Sequence, residues 1–125
     1  MTAGNHIVLV VEDDLDIRAS IVELLDEYGY RASGAENGAE ALDVLRMGET
    51  IPCLILLDLM MPIMDGETFY NELLKEPRWS AIPVVLMSAY RDVAERAGRL
   101  KVAHLVKPIG VDELLETTRR HCLGM

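Results

Sequence analysis

The chain has 125 residues, half of them apolar and about a quarter charged, with a formal net charge of −9. That length suits one domain around one core, and no apolar stretch approaches the roughly 20 residues a membrane span needs. Acids spread through the chain favour protein partners over nucleic acid, and a start from Met1 to His6 without a basic segment and a long apolar one favours the cytoplasm over export.

Ile7-Val8-Leu9-Val10-Val11 is apolar on both faces, which predicts a first strand covered by helices on either side. It runs into three acids, Glu12, Asp13 and Asp14. The period then changes: Ile17, Ile21, Leu24, Leu25 and Tyr28 fall on one stripe of a helix that Gly29 ends. Arg31 to Ala35 reads as a weaker strand, expected nearer an edge. Asn37 followed by Glu40 resembles a capped helix start, and that helix continues through Ala41, Leu42 and Leu45 to Gly48. Residues 53–57 are the most apolar strand, expected to be central, and they end on Asp58. After the loop from Asp58 to Met64, Asp65 can cap a helix from Gly66 to about Lys75 that Pro77 stops. Pro83 to Met87 is a fourth strand delivering Ser88. A poorly patterned helix follows over about Asp92 to Arg99, and Val102 to Val106 then deliver Lys107-Pro108. Val111, Leu114, Leu115, Thr118 and Cys122 mark a last helix. Its first turn carries Asp112 and Glu113 and its last Arg119, Arg120 and His121, as the helix dipole favours.

Five alternations of strand and helix imply an α/β fold, a doubly wound parallel sheet with right-handed crossovers and helices on both faces. Function in such sheets gathers at the carboxyl ends of the strands. No linker, repeat or low-complexity segment interrupts the pattern, so residues 1–125 are expected to form a single domain. Cys53, inside an apolar run, and Cys122 do not make the spaced framework of a small disulfide-rich domain; both are expected to be free thiols.

If the strands ending at Val11 and Leu57 lie side by side, three or four acids drawn from Glu12, Asp13, Asp14 and Asp58 crowd one patch. Two unit charges about 4 Å apart repel by roughly 4 kcal/mol at an effective dielectric near 20, so the patch is expected to hold a cation. Taken singly, Asp13 or Asp14 could be only a helix cap. Ser88 and Lys107, taken singly, would be ordinary loop residues.

The ordered set is more specific than its parts. Glu12-Asp13 after the first strand, Asp58 in the run from Leu57 to Gly66, Ser88-Ala89 after the fourth strand and Lys107-Pro108 after the fifth resemble the receiver domain of two-component response regulators, over essentially the whole chain. The resemblance implies a flavodoxin-like five-stranded sheet of order 2-1-3-4-5 with five helices. It implies that Asp58 is the phosphoacceptor, a carboxylate that attacks phosphorus and carries an aspartyl phosphate. The phosphoryl group would come from a histidine kinase or phosphotransfer protein, in a switch that catalyses only its own phosphorylation and dephosphorylation. Transfer leaves charge on equatorial oxygens, and positioning plus neutralisation is most of what a protein contributes. Mg²⁺ (or Mn²⁺) and Lys107 supply positive charge on this reading, with Asp13, Asp58 and the Met60 backbone carbonyl around the ion and Glu12 acting directly or through water. Ser88 would donate to a phosphoryl oxygen. The resemblance also implies a cis Lys107-Pro108 bond, although only about 5–6% of X-Pro bonds in folded proteins are cis.

Three residues before Lys107 the family usually has Tyr or Phe, and here His104 stands. An imidazole buries less apolar area and can carry charge near neutral pH, so a weaker or pH-sensitive switch through Ser88 and His104 is expected. Met60 and Tyr90, each two residues beyond a site residue, resemble positions that control water access; both are large, which implies slow self-dephosphorylation. The resemblance puts the downstream surface on the fourth helix, fifth strand and fifth helix, near the basic stretch Arg91, Arg96, Arg99 and Lys101. Other classes compete. A metal-dependent phosphohydrolase with an Asp nucleophile usually needs a second acid where Met60 stands. A flavodoxin-like cofactor binder wants a Ser/Thr/Gly-rich phosphate loop where Glu12-Asp13-Asp14 stand. A receiver acting as intermediate in a phosphorelay is a further reading.

Overall fold

Apolar runs and helical stripes alternate in the folded chain as they do in the sequence. The structure, a computed structural model, describes residues 6–48, 50–89 and 93–123, with Leu123 described by its backbone alone. In order the elements are β1 (Ile7–Val11), α1 (Leu15–Glu27), β2 (Arg31–Ala35), α2 (Gly38–Met47), β3 (Leu54–Asp58), α3 (Gly66–Lys75), β4 (Val84–Ser88), α4 (Val93–Leu100), β5 (Ala103–Val106) and α5 (Val111–Leu123). The sheet is parallel throughout, in the order β2-β1-β3-β4-β5. The most apolar run, β3, is the central strand, and the weakly patterned β2 is an edge.

Strand alternation divides the interior into two cores. Leu9, Val11, Ile55, Leu57, Val84 and Leu86 face α2, α3 and α4, where they meet Ala41, Leu42, Leu45, Phe69, Leu73, Val93 and Ala97. Val8, Val10, Leu54, Leu56, Val85 and Met87 point the other way, onto Ile21 and Leu25 of α1 and Leu114 of α5. Both faces are covered, which is why the three inner strands read as unbroken apolar runs. Each fully buried Leu or Val contributes about 1.5–3 kcal/mol, so these strands anchor whatever lies at their ends.

The helix starts are fixed by side chains. The carboxylate of Asp14 accepts from the Ile17 N–H and that of Asp65 from the Thr68 N–H, at 3.0 and 2.8 Å. Asn37 accepts from the Glu40 N–H at 2.8 Å, while Glu40 reaches back to the Glu36 N–H at 3.0 Å, one residue before the cap. Two strands run one residue beyond the apolar pattern, because the backbone ladder is indifferent to side-chain polarity. Asp58 and Ser88 are consequently the last residues of β3 and β4 and not the first of their loops. Asp92, expected at the start of α4, lies outside the described residues, as do Tyr90 and Arg91.

The expectation of two free thiols is corrected. α5 runs back across the sheet, returning its last turn to the amino end of β3, and Cys53 and Cys122 are joined in a disulfide with their Cα atoms 5.2 Å apart. Counting cysteines could not reveal a pair separated by 69 positions. Among the described residues no helix is long and apolar enough to cross a membrane.

Candidate functional site

Register assembles the site. Val11 of β1 lies beside Leu57 of β3, so the next residues, Glu12 and Asp58, emerge side by side. On the other flank Asp58 pairs with Met87, and Ser88 pairs with Val106, which places Lys107 one step beyond β5. One carboxylate oxygen from each of Glu12, Asp13 and Asp58 lies within 4.8 Å of the others. Sequence separations of up to 95 positions are thus reduced to contacts across a few ångströms.

Glu12 is the hub and is only 1% exposed. Its N–H donates to the Ala35 carbonyl at 2.9 Å, tying it to β2. One carboxylate oxygen accepts from the Asp14 N–H at 3.1 Å, and the other accepts from the Lys107 ammonium at 2.5 Å. Lys107 Nζ also stands 3.5 Å from Asp58 Oδ1, so one ammonium serves two carboxylates. Burial pulls the Lys107 pKa down, but the Glu12 hydrogen bond and the charges of Asp58 and Glu12 outweigh it and leave the ammonium above the ordinary lysine value. Lys107 is therefore charged at neutral pH.

Asp58 behaves oppositely. Burial first, and then the Glu12 charge, push its carboxyl up from 3.8 to about 7; Lys107 pulls downward, and hydrogen bonds with Asp13 and Glu12 add to the rise. The Met60 N–H donates to Asp58 Oδ1 at 3.4 Å. Gly66 packs against the backbone of the same residue: a Cβ there would stand 2.5 Å from the Asp58 carbonyl oxygen. The Asp65-Gly66 pair thus has two local jobs, capping α3 and clearing the space behind Asp58.

Asp13 is exposed, so the three acids present an open edge to solvent. Hard oxygen donors with room for water are what Mg²⁺ requires, and the donor set fits that ion. Asp14 caps α1 and stands outside this three-acid cluster. Ser88 is buried at 1% exposure, and its carbonyl accepts from the Lys107 N–H at 3.0 Å. The Lys107-Pro108 peptide bond is cis. Met60 is 46% exposed beside the acids. His104, opposite Leu86 on the edge strand β5, is exposed instead of turned into the core.

Sequence reasoning missed Arg18. From α1 it lies across β2, where a Cβ on Gly34 would stand 2.9 Å from Arg18 Cδ, and its guanidinium donates to the Glu12 carbonyl at 2.7 Å. The available signal was a glycine inside a strand, which marks close approach by another group. The basic stretch on α4 was also incompletely read: Arg96 and Arg99 both pair with Glu67 of α3, at 3.7 and 3.1 Å.

Comparison with known proteins gives a consistent result. Residues 8–119 match the family model described as the response regulator receiver domain. The sporulation initiation phosphotransferase F of Bacillus subtilis (strain 168) is 32% identical over 122 residues, covering 94% of each chain. A probable transcriptional regulator ycf27 of Cyanophora paradoxa is 37% identical over 110 residues, 86% of this chain but only 44% of that protein. The chain therefore spans about half the length of such a regulator. Among solved structures, the Vibrio cholerae chemotaxis protein CheY4 superposes with a TM-score of 0.83 at 25% identity, covering 94% of this chain and 98% of the other.

Proposed function

The chain belongs to the response regulator receiver domains, phosphorylation-dependent signalling switches, and from that premise we propose that Asp58 is the residue it phosphorylates. The observation that carries this assignment is the Lys107 ammonium held between Glu12 and Asp58 at the edge of a three-carboxylate cluster. Positive charge is thereby in place where transferred oxygens would collect.

An ionised Asp58 oxygen forms the new O–P bond as the N–P bond of a phosphohistidine breaks, the electron pair remaining on the imidazole nitrogen. Lys107 neutralises part of the charge on the transferred group, and the Ser88 hydroxyl donates to one of its oxygens. Asp13, Asp58 and the Met60 carbonyl would hold Mg²⁺ with Glu12 in support, and the bound ion supplies further positive charge. The Ser88 carbonyl accepts from the Lys107 N–H, so a shift at Ser88 passes to β5 through backbone. His104 then senses that shift from the solvent side, and His104 NMR signals unchanged on phosphorylation would exclude that role.

The donor is a histidine kinase or phosphotransfer protein. An apolar groove of about 710 Å³ between α1 and α5 suits its docking, because one end opens at Ala89 and Lys107 and the walls are Ile17, Ile21, Leu24 and Leu114. Output is proposed to pass through α4, β5 and α5, where Ala103, His104 and Val106 are exposed. The cytoplasm is the proposed compartment. Mass spectrometry after incubation with acetyl phosphate and Mg²⁺ tests the acceptor: the parent should gain one phosphoryl group and Asp58→Asn none. An unmodified parent, or an equally modified variant, would overturn the assignment.

A further inference from the structure

The disulfide between Cys53 and Cys122 takes no part in phosphoryl transfer. Its placement nevertheless ties it to the switch. Cys53 immediately precedes β3, the strand whose opposite end is Asp58, and Cys122 lies in the last turn of α5. The covalent ring so closed spans 69 positions and contains Asp58, Ser88 and Lys107, whereas Glu12 and Asp13 lie outside it. We propose that this cystine is a redox modification site, opened by a dithiol reductant, which sets whether the end of α5 is fastened to the sheet.

Three observations support the assignment. Both cysteines are half-buried, so the bond lies at the margin of the core and not at its centre. The buried residues of α5 are Leu114, Thr117 and Thr118; from Arg119 to Cys122 every described side chain is half-buried or exposed. The covalent link therefore fastens a turn that packing holds only lightly. Finally, Arg119 and Arg120 precede Cys122, and although both pair with Glu116 one turn earlier, two guanidinium groups against one carboxylate leave that turn net positive. Such neighbours attract an incoming thiolate and stabilise a departing one.

The exchange balances with one dithiol. A reductant thiolate attacks one sulfur of the cystine, forming a mixed disulfide and releasing the other cysteine as thiolate. The reductant's second thiol then displaces the remaining protein sulfur, so the cystine gains two electrons and two protons while the reductant becomes a disulfide. Cys53 Sγ stands 3.2 Å from the Ile7 carbonyl oxygen, which a Cys53 thiol can use as acceptor. The strand side of the opened bridge keeps a partner, and the change falls on α5. Because α5 belongs to the proposed output surface, compartment redox state would act on readout without touching the acidic site. The redox chemistry itself stands independently of Asp58 being the acceptor.

Thiol trapping and amide exchange on the intact chain test the proposal. Protein prepared without reductant and unfolded in iodoacetamide should take no adduct, and protein first treated in its native state with dithiothreitol should take two. On reduction, amide exchange over residues 119–122 should quicken about tenfold or more, with β1 and α1 unchanged. Cys122→Ser should show the fast rate with or without reductant. Cys53→Ser, which leaves the α5 sequence intact, should do the same and serves if the first variant does not fold. Two adducts on the untreated chain, a cystine that dithiothreitol opens only in urea, or equal exchange in both redox states would each overturn it.

Discussion

Replacing Asp58 by Asn should stabilise the metal-free protein, and the gain should depend on pH. Burial and the Glu12 charge raise the Asp58 carboxyl from 3.8 to about 7. At 1.36 kcal/mol per pH unit, that displacement costs the ionised native protein at most about 4 kcal/mol. The sign follows from proton counts. Between the two values the native protein keeps the proton and the unfolded chain has lost it, so stability falls as pH rises, beginning near 4 and ending just above 7. Asn cannot ionise and removes that decline. Urea unfolding in EDTA, followed by the fluorescence of the single tryptophan, Trp79, buried at 4% exposure, measures both proteins. They should agree within about 0.5 kcal/mol near pH 4, and the variant should lead by about 2–4 kcal/mol at pH 8. Added Mg²⁺ should raise the parent's midpoint at pH 8 and move the variant much less. Parallel pH profiles for the two proteins would refute the reasoning, because they would mean that Asp58 ionises in the fold as it does in water.

Arg18→Ala should lower stability by about 1.5–3 kcal/mol through loss of the charged hydrogen bond to the Glu12 carbonyl, and should weaken Mg²⁺ binding as well. Gly34→Val should reproduce that loss by displacing the Arg18 chain, and an unchanged Mg²⁺ titration in both would refute a positioning role for Arg18. Gly66→Ala places a Cβ against the Asp58 carbonyl, where backbone cannot yield; a loss of about 1–3 kcal/mol and slower labelling by acetyl phosphate are expected, and parent-like labelling would exclude the contact. Ile63 holds a φ of 69° while 84% exposed, so Ile63→Gly relieves strain and gives up little packing. Allowing for glycine's greater chain entropy, a net gain of about 1 kcal/mol and a Tm higher by about 4 °C should appear in a thermal melt.

The fold was legible wherever burial imposed a pattern. β1, β3 and β4 are covered on both faces, so their sequences read as continuous runs, while α1 and α5 show one stripe each because one face of each packs. Strand order was not legible in periodicity, which records burial and not neighbours; the resemblance supplied it. Asp58, Ser88 and Lys107 were readable as an ordered set because each sits at or just beyond the carboxyl end of an inner or outer strand, where function gathers. Arg18 was hidden, since an arginine on an amphipathic helix reads as solvated surface until β2 is seen passing beneath it. Glu67 was hidden for a similar reason: its pairing with Arg96 and Arg99 joins α3 to α4 across a distance no helical period encodes. The cystine was misread because two cysteines offer no spacing to interpret.

Charge explains why the site needs all of its parts. Glu12, Asp13 and Asp58, ionised, sum to −3, and the Lys107 ammonium reduces that to −2, the charge a divalent cation cancels. The lysine contact at 2.5 Å goes to Glu12, and the bond from the Asp14 N–H occupies that residue's other oxygen. Glu12 is thereby engaged on both sides, which leaves exposed Asp13 and the Asp58 oxygens as the better placed donors for an ion. On this reading Glu12 acts chiefly as the counter-charge that keeps Lys107 oriented, and Arg18 acts one step further back by fixing the Glu12 carbonyl. Glu12, Asp13 and Arg18 come from the β1–α1 connection and the start of α1, whereas Asp58, Ser88 and Lys107 lie within the ring closed by Cys53 and Cys122. The β1–β3 ladder, with Val11 beside Leu57, is the rigid element that joins the two groups. A change in α5 can therefore alter the face offered to a partner while that ladder keeps the acids in register.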